Sequence, residues 1–421
     1  MFRQVKIWLA NARLTQKSKD RKRAQAQQKR EKTRIREEIM SLGTTTSLAF
    51  KRTTDEKTGS IVTQLTPDSG VCHRNYFYQK CFTEDGNKLL ISANFDSNRN
   101  YHLLDLQNET AIQLTEGKGD NVFGGFLTTQ DDALIFVKNN KQLIRVDIKN
   151  QEHSVLYEVA KGWVGYGTWV PNSDCTKVVA IEIKDTDYMD LDSWEKFAQF
   201  YHQKPRCRLI SIDLKTGQRT TIFEENIWLG HPLYRPNDDN TIAFCHEGPH
   251  DLVETRMWMI DENGDNMRKV YEQSEEESCT HEFFVPDGSK MMFVSYRPNT
   301  DKRQLCSVDA TSLAFKVEAE MPACSHLMSN YDGTLVVGDG SGTPVDVSNH
   351  DGHKIENDPN LYLIDLSDAS IRPITEHNTS WEVLNGDRQI NHPHPSFTPD
   401  NKSVLYSSDV NGTPAIYLAT L

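Results

Sequence analysis

The chain has 421 residues, of which 37% are hydrophobic, and its formal net charge is −13. That length exceeds what one small core takes, so several domains or one large repeat architecture is expected. No apolar run is long enough to cross a bilayer, and no apolar stretch follows the N-terminal basic residues as in a secretory signal. Eight scattered cysteines, with no CxxC pair among them, fit reduced thiols in a cytoplasmic protein.

In chain order, the first segment differs from the rest. Residues 1–39 hold thirteen Lys and Arg against four Asp and Glu, a balance of +9 that leaves −22 on the other 382 residues. The stretch "KSKDRKRAQAQQKREKTRIREEI" has too few large apolar side chains to build a core, so a basic helical or disordered extension is expected. Its first residues, Arg3 to Trp8 with Asn11 and Arg13, loosely resemble a homeodomain recognition helix, but the two helices that should precede it are absent. Only this head could bind nucleic acid. The other reading is an upstream extension ahead of a start at Met40. The expected domains are therefore residues 1–39, outside the fold, and residues 40–421.

Past the head, one plan recurs seven times: a short apolar strand, a turn with Asp or Asn and often Gly, then a strongly apolar strand. Examples are "YQKCFTEDGNKLLISA", "HEFFVPDGSKMMFVSY" and "HPSFTPDNKSVLYSSD". The turns supply the positive φ of tight hairpins, and β-branched and aromatic residues follow them. A third strand ending in Asp ("YHLLDL", "LYLIDL") and a fourth ("AIQLTEG") complete most copies. Four antiparallel strands in seven repeats predict an all-β, seven-bladed β-propeller. The last copy stops at its third strand, "AIYLATL", whereas "GSIVTQLTPDSG" reads as a fourth strand ahead of the first copy. The N-terminal strand is therefore expected to close the last blade, which removes an exposed edge. Two segments interrupt the period: residues 184–204, helical in their second half, and residues 338–358, a Gly- and Asp-rich loop.

Aligned on their turns, four consecutive copies carry histidine six residues before the turn: His231, His281, His326 and His394. This place begins the innermost strand, which lines the central channel. His392 and His394 lie at i and i+2 and would face one side of an extended segment. Gln389 lies a turn upstream. Neutral nitrogens with an amide oxygen and no thiolate suit Mn, Fe, Ni or Zn. A polar, water-filled channel explains the same pattern without a metal.

The longer motifs "CHRNYFYQKCFTEDG", "FCHEGPHDLV", "SCTHEF", "MPACSHLMSNYDG" and "DRQINHPHPSFTPD" resemble those of the oligogalacturonate lyases, from about Leu48 to Leu421. The resemblance implies a seven-bladed propeller holding Mn²⁺ in its central funnel through His326, Gln389, His392 and His394. It implies His281 as the Brønsted base and Arg256 as a substrate-site arginine. An acidic protein that binds a polyanion needs a locally positive cavity, so Arg74 is a further candidate substrate contact, with a blade-to-blade ion pair as its other reading, and His231 is another candidate. The reaction implied is β-elimination on short oligogalacturonides, without membrane or nucleic-acid partners. The competing expectation is a non-catalytic TolB-like binding propeller whose histidines only polarise the channel.

Overall fold

The hairpins cannot bury both faces of a four-stranded sheet alone, and they solve this by stacking face to face around an axis. The computed structural model describes residues 42–95, 98–191, 194–249, 252–297, 303–341, 358–382, 384 and 389–421. The basic head lies outside the described residues, as does most of the loop expected over 338–358.

Seven antiparallel sheets form the blades of a propeller. The innermost strands, in order, are Cys72–Arg74, Phe126–Leu127, Trp163–Pro171, Leu229–Tyr234, Ser278–Phe284, Cys324–Ser329 and Ser396–Phe397. Second strands such as Lys177–Lys184 are buried along nearly their whole length because neighbouring blades cover both faces. Outer strands such as Phe315–Met321 expose more of their residues, four of seven here.

Closure follows the expected route. Ile61–Gln64 pairs with the third strand of the last blade, Val62 opposite Ala419 and Gln64 opposite Tyr417. The chain then goes further than expected. Lys51–Thr54 adds a fifth strand to that blade, and Thr45–Ser47 adds a fifth to blade 1. The N-terminal strands thus bridge the first and last blades.

The interruption in blade 3 contains the helix Trp194–Gln203. Phe200 is fully buried, and the Tyr201 hydroxyl donates to the Leu252 carbonyl at 2.7 Å. The helix is thereby pinned over blade 4. Among the described residues no helix is long and apolar enough to cross a membrane.

Candidate metal centre and active site

The inner strands are bulged where the histidines sit. Register shifts fall between Gly230 and Leu233, between Thr280 and Phe283, and between Cys324 and Leu327. His231, His281 and His394 have φ of 47°, 56° and 46°, in the left-handed region. A bulge with a left-handed residue rotates one side chain out of the alternation, and here it turns imidazoles into the channel. His is one of the few residues enriched in that conformation.

Three of the buried rings converge. One ligand atom each from His326, His392 and His394 lie within 4.8 Å of one another. Metal–nitrogen bonds of about 2.1 Å would put opposed nitrogens about 4.2 Å apart, so one ion can hold all three after a small closure. The His326 Nδ1 lies 2.8 Å from Asp339 Oδ2, and the His326 amide donates to Oδ1 at 2.6 Å. That leaves Nε2 of His326 for a ligand bond, the usual arrangement when a carboxylate orients a metal-binding histidine. Burial works to raise the Asp339 carboxyl, but the His326 ring and its hydrogen bonds outweigh it and hold the group below the ordinary range. Burial, then His326, His392 and the Arg74 charge, push His394 well below the usual histidine range, so it is neutral and offers a lone pair. Its Nε2 is buried and meets no hydrogen-bond partner among the described residues. These donors fit a divalent transition metal.

The route to this convergence differs from the expectation. His392 and His394 do not lie on an extended strand. The 3₁₀ turn Gln389–Asn391 precedes them, and the left-handed backbone at His394 brings both rings to His326. Their centroids lie 5.2 and 4.2 Å from that of His326. The backbone of Gln389 belongs to the turn, while its side chain lies outside the described residues. Trp381, itself left-handed at φ 59°, walls the centre with its ring 4.8 Å from His392. Nothing in the repeat pointed to it, because it falls in a connection between blades.

His281 stands next to this centre, its ring 4.9 Å from that of His326. The fourth histidine separates. The Tyr76 ring lies 6.0 Å from His231 and 5.2 Å from His394, between the two. His231 Nε2 instead lies 3.3 Å from Glu247 Oε1. A Cβ at Gly230 would stand 2.3 Å from Glu247 Cγ, so glycine is what lets this carboxylate approach the strand.

The two arginines are both buried and make contacts between blades. Arg74 is 1% exposed, donates to the carbonyls of Asn75 and His394 at 3.0 and 2.8 Å, and bonds Ser396 Oγ. It ties blade 1 to blade 7 and fixes the His394 backbone. Arg256 is buried with its Nε 3.0 Å from Glu282 and its Nη2 2.9 Å from Glu247. Protein carboxylates match that fork of the guanidinium, as a buried cation requires.

Comparison with known proteins follows the same line. The family model described as oligogalacturonate lyase matches residues 40–421. The chain is 60% identical over 380 residues to an oligogalacturonide lyase of Pectobacterium atrosepticum and 59% identical to an oligogalacturonate lyase of Dickeya dadantii, each match covering 90% of this chain and 98% of the relative. Among solved structures it resembles an oligogalacturonate lyase in complex with manganese, with TM-score 0.86 and 56% identity over 91% of this chain and 98% of the other. The oligogalacturonate lyase of Vibrio parahaemolyticus gives TM-score 0.85 and 53% identity over 90% and 98%. This propeller, with three imidazoles gathered at its axis, belongs to the oligogalacturonate lyase family.

Proposed function

We propose that this lyase cleaves short oligogalacturonides by metal-assisted β-elimination, with His326, Gln389, His392 and His394 holding Mn²⁺ and His281 as the base. One observation carries the reading: three buried imidazoles share one point, and a fourth from a separate blade stands at its edge. A divalent cation at that point supplies a Lewis acid that neutralises the substrate carboxylate and eases negative charge at the adjacent carbon.

His281 takes the C5 proton onto a ring nitrogen. The C–H electron pair becomes the C4=C5 double bond, and the bond from C4 to the glycosidic oxygen breaks. That oxygen takes a proton from water and leaves as the hydroxyl of the other product, and His281 releases its proton to solvent. An imidazole suits the task because its ordinary pKa of about 6.5 leaves much of it neutral near neutral pH. Asp339 keeps His326 in the tautomer that presents Nε2, and Arg74 holds the His394 backbone in place. The substrate is a sugar acid, and the reading places the protein in the cytoplasm.

The test is His281→Ala with elemental analysis and turnover measured together. Metal stays at the wild-type ratio, while formation of the unsaturated uronate, followed by its ultraviolet absorbance, falls at least about 100-fold. Loss of the metal along with activity would make His281 a ligand and overturn its assignment.

A further inference from the structure

The elimination needs a proton at the leaving oxygen as well as a base at C5, and a second imidazole stands in the blade next to that of His281. His231 and His281 hold the same place on the inner strands Leu229–Tyr234 and Ser278–Phe284. Each sits at a register shift with left-handed backbone, φ 47° and 56°. The same kind of bulge therefore turns both rings out of the strand alternation and into the channel. Their surroundings then differ. The His281 ring lies 4.9 Å from that of His326, whereas the Tyr76 ring stands between His231 and His394. Among the described residues the cluster able to hold a metal does not include His231.

A cavity of about 810 Å³ opens at His231, walled in part by Tyr76, Tyr166, Trp228 and Glu247. That lies within the range of small-ligand sites, about 300–1,000 Å³, and the aromatic rings offer surface for the apolar face of a sugar. Tyr76 borders both the cavity and the metal cluster. The His231 side chain is 32% exposed, against 5% for His326, so it is open to a ligand in this cavity. Its Nε2 lies 3.3 Å from Glu247 Oε1. A carboxylate only accepts, so that nitrogen carries hydrogen, and among the described residues Nδ1 meets no hydrogen-bond partner. Glu247 also faces Arg256 at 2.9 Å, and Arg256 faces Glu282 at 3.0 Å. One guanidinium against two buried carboxylates leaves one negative charge in excess, and an imidazolium at His231 balances it.

We propose that the proton for the leaving oxygen passes through His231, which acts as the general acid. Its imidazolium, held by Glu247, gives the Nδ1 proton to the glycosidic oxygen as the bond to C4 breaks. The electron pair of that bond stays on the oxygen, which leaves as a hydroxyl. His231 ends neutral and is recharged from water, while His281 releases to solvent the proton it took from C5. The proposal rests on the lyase reading and on His281 as the base.

The test compares two leaving groups. Digalacturonate releases a sugar hydroxyl and needs the proton, whereas a galacturonide with 4-nitrophenoxy at C4 releases a stable phenolate and does not. His231→Asn removes the acid and keeps a residue that tolerates left-handed backbone. His231→Gln is the second variant. Each lowers kcat on digalacturonate at least about 100-fold and kcat on the nitrophenyl substrate less than about fivefold, with metal content and melting temperature at wild-type values. Equal losses on the two substrates would make His231 a positioning residue, and an unchanged kcat on digalacturonate would remove it from the chemistry; either result overturns the proposal. Failure of the lyase reading looks different, because the wild type itself would then release no unsaturated product from either substrate.

Discussion

At the scale of single residues, the active centre depends on backbone that most side chains avoid. His281 is left-handed at φ 56°, a conformation costing an L-residue roughly 1–2 kcal/mol. The cost turns one ring out of a strand that would otherwise bury it. Replacing the ring should therefore separate strain from chemistry. His281→Gly should be more stable than His281→Ala by about 1 kcal/mol in urea titrations, because only glycine adopts this φ without penalty, and both should be inactive. An alanine variant as stable as the glycine variant would mean that the bulge relaxes and stores no strain. Turn-aligned repeats made the histidines legible in the sequence; the handedness that aims them was not, because φ at a bulge depends on cross-strand pairing.

At the scale of elements, blades 4 and 5 are joined by a buried charge network. Glu282, on the inner strand of blade 5, meets Arg256 of blade 4, and the Cys245 thiol donates to Glu282 at 2.6 Å. Burial works to raise Glu282, but Arg256 and then His231 overcome it and hold the carboxyl at about 2, against an ordinary 4.5. A lowered folded-state pKa contributes stability that is complete above about 4.5 and is lost as pH falls through about 2. Arg256→Met strands two buried carboxylates and should cost about 3–5 kcal/mol at neutral pH. The gap from wild type should narrow as pH drops from about 4.5 towards 2, measured by urea unfolding across that range. A gap independent of pH would mean that Arg256 contributes packing only. The sequence motifs singled out Arg256 without its partner Glu282. Their pairing across a blade interface is a tertiary contact between residues 26 positions apart.

At the scale of the whole molecule, stability rests on ring closure. The strand Ile61–Gln64 covers the edge of Ala415–Thr420, and the Leu65 amide adds a bond to the Ile416 carbonyl at 2.8 Å. A chain beginning after Gln64 would leave that edge bare and lose the strands on blades 1 and 7. It should lose its cooperative thermal transition and aggregate. A chain beginning at Met40 should melt within about 2 °C of the full chain, in line with placing residues 1–39 outside the fold. A shift of many degrees on that shorter truncation would count against the domain boundary.

By itself the sequence determined the seven-fold strand plan, its closure by an N-terminal strand, and the recurrence of histidine at one place in four blades. All three are periodic signals set by local turn chemistry and by the alternation of buried strands. Only the tertiary structure decided which histidines meet. His326, His392 and His394 converge because a 3₁₀ turn and a left-handed residue steer two of them, while Tyr76 holds His231 apart. It also decided the fate of the cations. Arg74 and Arg256 look equally available in one dimension, yet each is buried against groups from another blade. Local periodicity specifies elements; the meeting of charges across blades depends on how those elements pack, and burial then forces each charge to find its partner.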